Sequence, residues 1–93
     1  MSKVRFQELL DGVRIDWVGD EVPERVQVHA RAEVQTLRDS CQRMRALTVE
    51  CRPGSCRVSC NCLHRGRGIR AARPSLLEAL WAFEETMHAR CTS

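Results

Sequence analysis

Apolar and polar positions alternate in some stretches of this chain and recur every three or four residues in others. Residues 2–11 read as a short helix, capped by Ser2 and ended by Gly12. Val13, Arg14, Ile15, Asp16 and Trp17 alternate strictly, which predicts a short strand. Gly19, Asp20 and Glu21 follow as a turn. Pro23 suits the first turn of a helix, where its missing N–H breaks no bond.

Two periods compete after Pro23. Val26, Val28, Ala30, Ala32 and Val34 alternate as in a strand. Val26, Ala30, Val34, Leu37, Cys41 and Met44 follow helical spacings, and that series is longer. The intervening Glu, Gln, Arg and Ala favour helix, so a helix is expected over 23–46.

Residues 47–60 read as a β-hairpin. Leu47 to Cys51 is rich in β-branched residues, Pro53 and Gly54 suit a tight turn, and Cys56 to Cys60 alternates. Cys51 and Cys56 then stand at its neck. Residues 61–74, broken by Asn61, Gly66, Gly68 and Pro74, read as a loop. Ser75 caps a final helix with Glu78 as its capping-box partner. Leu76, Leu80, Phe83 and Met87 mark the apolar face of that helix, widened by Leu77 and Trp81.

The expected fold is therefore a single α+β domain over 1–93. Two or three helices pack around a short cysteine-bearing hairpin. Four aromatic residues and no Tyr leave a core of Val, Leu, Ala and Met. At 93 residues such a core gains from a covalent or metal staple.

The cysteines supply the candidate staple. Cys51, Cys56, Cys60, Cys62 and His64 fall within fourteen residues, and thiolate and imidazole are zinc's preferred ligands. A structural zinc is the leading expectation, with Cys51, Cys56 and Cys60 as ligands and Cys62 or His64 completing the site. Disulfides, Cys51 to Cys56 first among them, and free thiols are the alternatives. A continuous strand through this segment would hold Cys60 and His64 ~13 Å apart, so a metal site requires a turn near Asn61 or Leu63. Cys41 and Cys91 fall on helical apolar faces and read as small buried hydrophobes.

Charge changes the picture locally. The formal net charge is only +3, yet fourteen of the fifteen basic residues are Arg. Arg52, Arg57, Arg65, Arg67, Arg70 and Arg73 lie in a stretch without an acid between Glu50 and Glu78. The segment 65–74 thus reads as an exposed arginine loop with phosphate-binding character. No aromatic is interleaved with these arginines, which argues against base stacking.

No nucleophile system or carboxylate pair stands out, and a closed four-ligand zinc leaves no open position for catalysis. The expected function is a non-enzymatic regulator that binds nucleic acid through the arginine segment. The rival is a protein-binding inhibitor or adaptor, of the kind a phage or virus encodes, acting on an acidic partner surface. No signal peptide is evident and no stretch approaches the ~18 apolar residues of a membrane span. A reducing cytoplasm is the expected compartment.

Overall fold

The computed structural model describes residues 3–40, 44–64 and 67–91. Side chains are described for all of these except 40, 61–64, 67, 90 and 91. Five strands and two helices follow the order β1 (Lys3–Leu10), β2 (Val13–Asp20), α1 (Glu24–Ser40), β3 (Ala46–Arg52), β4 (Ser55–His64), β5 (Arg67–Arg73) and α2 (Leu76–Cys91). The strands form one sheet in sequential order. Neighbours pair antiparallel except β2 and β3, which run parallel across the α1 connection.

This overturns the expected hairpin hub ringed by helices. The molecule is a five-stranded mixed sheet with two helices, mostly sheet. Two misread segments account for the difference. The first is β1, expected as a helix over 2–11. Val4, Phe6, Glu8 and Leu10 oppose Gly19, Trp17, Ile15 and Val13, so all four sit on the helix-covered face. Glu8 interrupts the apolar alternation on that face, and Leu9 points outward at 75% exposure. Together they disguised the period of two. Asp11 and Gly12, with φ of 51° and 82°, make the two-residue hairpin turn that joins β1 to β2.

The second is β5, expected as loop. Among its described side chains only Ile69 and Ala71 pack in or against the core, and arginines supply most of the rest of the strand. Arginine and glycine made the segment look unstructured. They suit a strand at the sheet margin, where charge discourages further pairing.

Helix α1 settles its competing periods in favour of the helix. Ala30, Val34 and Leu37 are buried, while Val28 of the alternating series is exposed. Its described span is Glu24–Ser40, and Met44 and Arg45, expected within the helix, are not helical; Met44 is buried ahead of β3. Cys41 lies outside the described residues. Pro23 accepts the first two helical bonds, from the amides of Val26 and Gln27 at 2.9 and 3.0 Å.

In α2 the Glu78 amide donates to Ser75 Oγ at 3.3 Å, satisfying one of the orphan donors of the first turn. Leu76, Ala79, Leu80, Phe83 and Met87 are buried, whereas Trp81 is exposed. Cys91 ends the helix, and its side chain lies outside the described set.

Both helices pack against the face that carries Val13, Ile15, Trp17, Leu47, Val49, Val58 and Ile69. Each large apolar side chain fully buried there stabilises the fold by about 1.5–3 kcal/mol. Among the described residues no helix covers the opposite face. It carries Arg5, Arg14, Asp16, Glu50, Arg57 and Arg70 by the alternation of the strands.

Candidate functional site

The cysteines illustrate how strand geometry sorts a cluster that is dense in sequence. Cys51 and Cys56 are register partners across the β3–β4 turn and share a side-chain hydrogen bond. Cys51 is buried, and burial pushes its thiol well above the ordinary range. The hydrogen bond with Cys56 and the charges of Asp20 and Glu50 add to that shift.

Cys60 lies on the same face but opposes Leu47 and Ile69. It lies four residues along the strand from Cys56, about 13 Å at 3.3 Å per residue. Zn–S bonds are about 2.3 Å long, so Cys60 does not reach an ion held by Cys51 and Cys56. The turn that a zinc site requires near Asn61 or Leu63 is replaced by continuation of β4 to His64, with a register shift between Cys60 and His64. Cys62 and His64 have strand backbone, and their side chains lie outside the described set. Among the described residues no group of three or more His, Cys, Asp or Glu is placed to hold a metal.

Cys51 and Cys56 instead form one wall of an apolar cavity of about 270 Å³. Glu21, Val22 and Pro23 ahead of α1, Val26 in its first turn, and Ser75, Leu76 and Leu77 at the start of α2 line the rest. Cys56, half-buried, is the more accessible of the two thiols.

The arginines divide between the two sheet faces. Arg57 opposes Ala72, and Arg70 stands two residues from Ala72 on β5, so both project from the uncovered face. Arg73 opposes Cys56 at the strand end and is exposed. Arg57, Arg70 and Arg73 line one surface hollow of about 380 Å³ with Ala71 and Ala72. Arg73 Nη1 donates to the Ala72 carbonyl at 2.7 Å, which folds it back along the strand. Arg52 is engaged elsewhere, in a 2.6 Å ion pair with Glu50. Arg67 contributes backbone to β5, and Arg65 lies outside the described residues.

Sequence reasoning passed over two features. The first is the extension of the uncovered face to Arg5 and Arg14, the latter 3.8 Å from Asp16. The alternation of Val13, Ile15 and Trp17 already placed Arg14 on the face opposite the core. The second is a polar network under β1. Glu8 Oε1 accepts from Trp17 Nε1 and from Arg31 Nε, each at 2.9 Å. Arg31 Nη2 donates to Gln27 Oε1 at 3.0 Å, and the Arg31 guanidinium lies 5.9 Å from the Trp17 ring centroid. Burial alone would raise the Glu8 carboxyl. The bonds from Arg31 and Trp17, with the Arg31 charge, outweigh it and hold Glu8 below the usual carboxylate range. Nothing local in the sequence signals contacts that span nine and twenty-three residues.

His29 and His88 are both exposed, and His88 stands 3.9 Å from Glu84. No helix among the described residues is long and apolar enough to cross a membrane. No protein-family model, no curated protein and no solved structure matches this chain.

Proposed function

We propose that this chain is a small non-enzymatic binding domain that docks on the phosphate backbone of a nucleic acid. The contact surface is the β4–β5 side of the sheet. One observation carries the reading: Arg57, Arg70 and Arg73 surround a single hollow at the margin of a sheet face that no helix covers. β4 and β5 themselves contain no acid, and Glu50, which opposes Arg57 on β3, is paired with Arg52 at 2.6 Å. Guanidinium forks match phosphate oxygens in pairs, which favours this chemistry over a diffuse positive field.

The surface has no aromatic with which to stack bases. Phe6 and Trp17 stack on each other on the helix-covered face, and Trp81 and Phe83 belong to α2. Binding through phosphates alone discriminates poorly between sequences and weakens with salt. Labelled single- and double-stranded oligonucleotides, titrated by fluorescence anisotropy, test this. Affinity should fall at least tenfold between about 50 and 200 mM salt. Replacing Arg57, Arg70 and Arg73 together by Ala should abolish binding while the circular dichroism spectrum stays that of the parent. Absence of binding at the lowest salt, or undiminished binding by the triple variant, overturns the reading.

A protein partner is the second reading, favoured by the position of β5 at the sheet margin. An acidic strand added there would meet the same arginines and an open backbone edge. Binding of an acidic polypeptide without binding of oligonucleotides would select it.

A further inference from the structure

The structure assigns a modification site to the pair Cys51 and Cys56: we propose that a low-molecular-weight disulfide such as oxidised glutathione enters at Cys56 and leaves a cross-strand Cys51–Cys56 disulfide. The proposal is independent of the phosphate-binding reading.

Position within the hairpin carries the argument. Arg52 and Ser55 flank the two-residue turn and form its first pair, so Cys51 and Cys56 form the second. In an antiparallel ladder hydrogen-bonded and non-hydrogen-bonded pairs alternate. The pair next to a closed two-residue turn is of the second kind, with Cα atoms about 4.5 Å apart. That lies within the roughly 4.4–6.8 Å span of disulfide-bonded residues. The two side chains share the helix-covered face and a hydrogen bond, so the sulfurs are neighbours already.

Access is unequal, and this sets an order of events. Cys51 is buried at 6% exposure, while Cys56 is half-buried and open to the 270 Å³ cavity. The Cys56 thiolate attacks one sulfur of the glutathione disulfide. A mixed disulfide forms, and one glutathione leaves as thiolate and takes up the proton that Cys56 lost. Cys51 gives up its proton and attacks the Cys56 sulfur, expelling the second glutathione. Two protein thiols are oxidised by two electrons, and one glutathione disulfide is reduced to two thiols. Cys60 is no competitor, because it lies four residues farther along the extended strand from Cys56.

The test treats the purified reduced chain with oxidised glutathione, alkylates the remaining thiols and maps tryptic peptides. Trypsin does not cut before Pro53, so Cys51 and Cys56 stay together on the peptide Ala46–Arg57. That peptide should escape alkylation and lose two hydrogens in mass, while Cys60 is alkylated. Full alkylation of Cys51 and Cys56, or a bridge from either to another cysteine, overturns the proposal. In Cys51→Ala the reaction should stop at a glutathione adduct on Cys56. A folded Cys51→Ala chain that takes up no glutathione removes the assigned order. The mapping of the parent chain stands whether or not that variant folds.

Discussion

Glu33 on α1 and Glu84 on α2 meet where the two helices touch, and their carboxyls share a hydrogen bond. Two carboxylates cannot both hold full charge at this distance without cost. The bond to Glu84, then burial, then the Glu84 charge raise the Glu33 carboxyl from 4.5 to about 7. The folded chain thus holds a proton that the unfolded chain releases. Stability falls as pH rises from about 4.5 to 7, and the penalty is complete above that window. Glu33→Gln should therefore stabilise the domain at pH 8 by about 1 kcal/mol, after allowance for solvent screening. It should make little difference near pH 4.5. Urea unfolding of both proteins at the two pH values checks this.

Glu8 works in the opposite sense. Its carboxyl sits below 4.5, so its stabilising charge is present above that value and is lost as acid protonates it in the folded state. Glu8→Gln should cost about 1 kcal/mol at neutral pH, because the pair with Arg31 is partly exposed. The deficit should shrink as the parent is titrated into acid. Thermal melts from pH 7 to pH 3 give the comparison, and an unchanged deficit at pH 3 would sink the argument.

Gly19 lies opposite Cys51 where β2 and β3 run parallel. Its φ of +100° is one that L side chains rarely adopt, and a Cβ there would overlap the Cys51 carbonyl oxygen. Backbone cannot swing aside as a side-chain tip can. Gly19→Ala should cost on the order of 3 kcal/mol or more and leave little folded protein at 37 °C. Gly12→Ala, at a φ of +82°, meets no backbone but only the end of the Arg38 side chain, at 3.1 Å, and should cost about 1 kcal/mol. Calorimetric melts of the two variants test the contrast.

Phe83 is fully buried under α2, in contact with the shared core. Phe83→Ala should destabilise by about 3–5 kcal/mol, a large share of the stability of a domain this size. Trp81, one turn from Leu77 and 59% exposed, should tolerate Trp81→Ala within about 0.5 kcal/mol. Equilibrium denaturation separates the two, although both are aromatic and only two positions apart in one helix.

Where local pattern and burial coincide, the chain could be read directly. Val13, Ile15 and Trp17 alternate and are buried, and Ser75 caps a helix whose stripe from Leu76 to Met87 faces the core. Pro53 and Gly54 marked the β3–β4 turn, and so placed Cys51 opposite Cys56. Reading failed where a tertiary partner changed the meaning of a residue. Glu8 occupies an inward position because Trp17 and Arg31 wait there to bond it, and neither is visible from residues 3–10. The arginines of β5 are tolerated in a strand because the strand is at the margin, a fact of sheet order rather than of composition. The cysteine cluster is dense along the chain and its spacing already demands a turn to bring the ligands together, but whether the chain turns or continues as strand depends on the pairing of β4 with β5.

The single parallel pairing in the sheet has a kinetic corollary. β1 finds β2, β3 finds β4 and β4 finds β5 through short connections, so each pairing closes a small loop. β2 and β3 meet only after α1 has been spanned, and the entropy of loop closure is concentrated in that one event. Folding then resembles the docking of an N-terminal hairpin onto a C-terminal three-stranded meander. Gly19 and Cys51 lie on that seam, where the two halves come together.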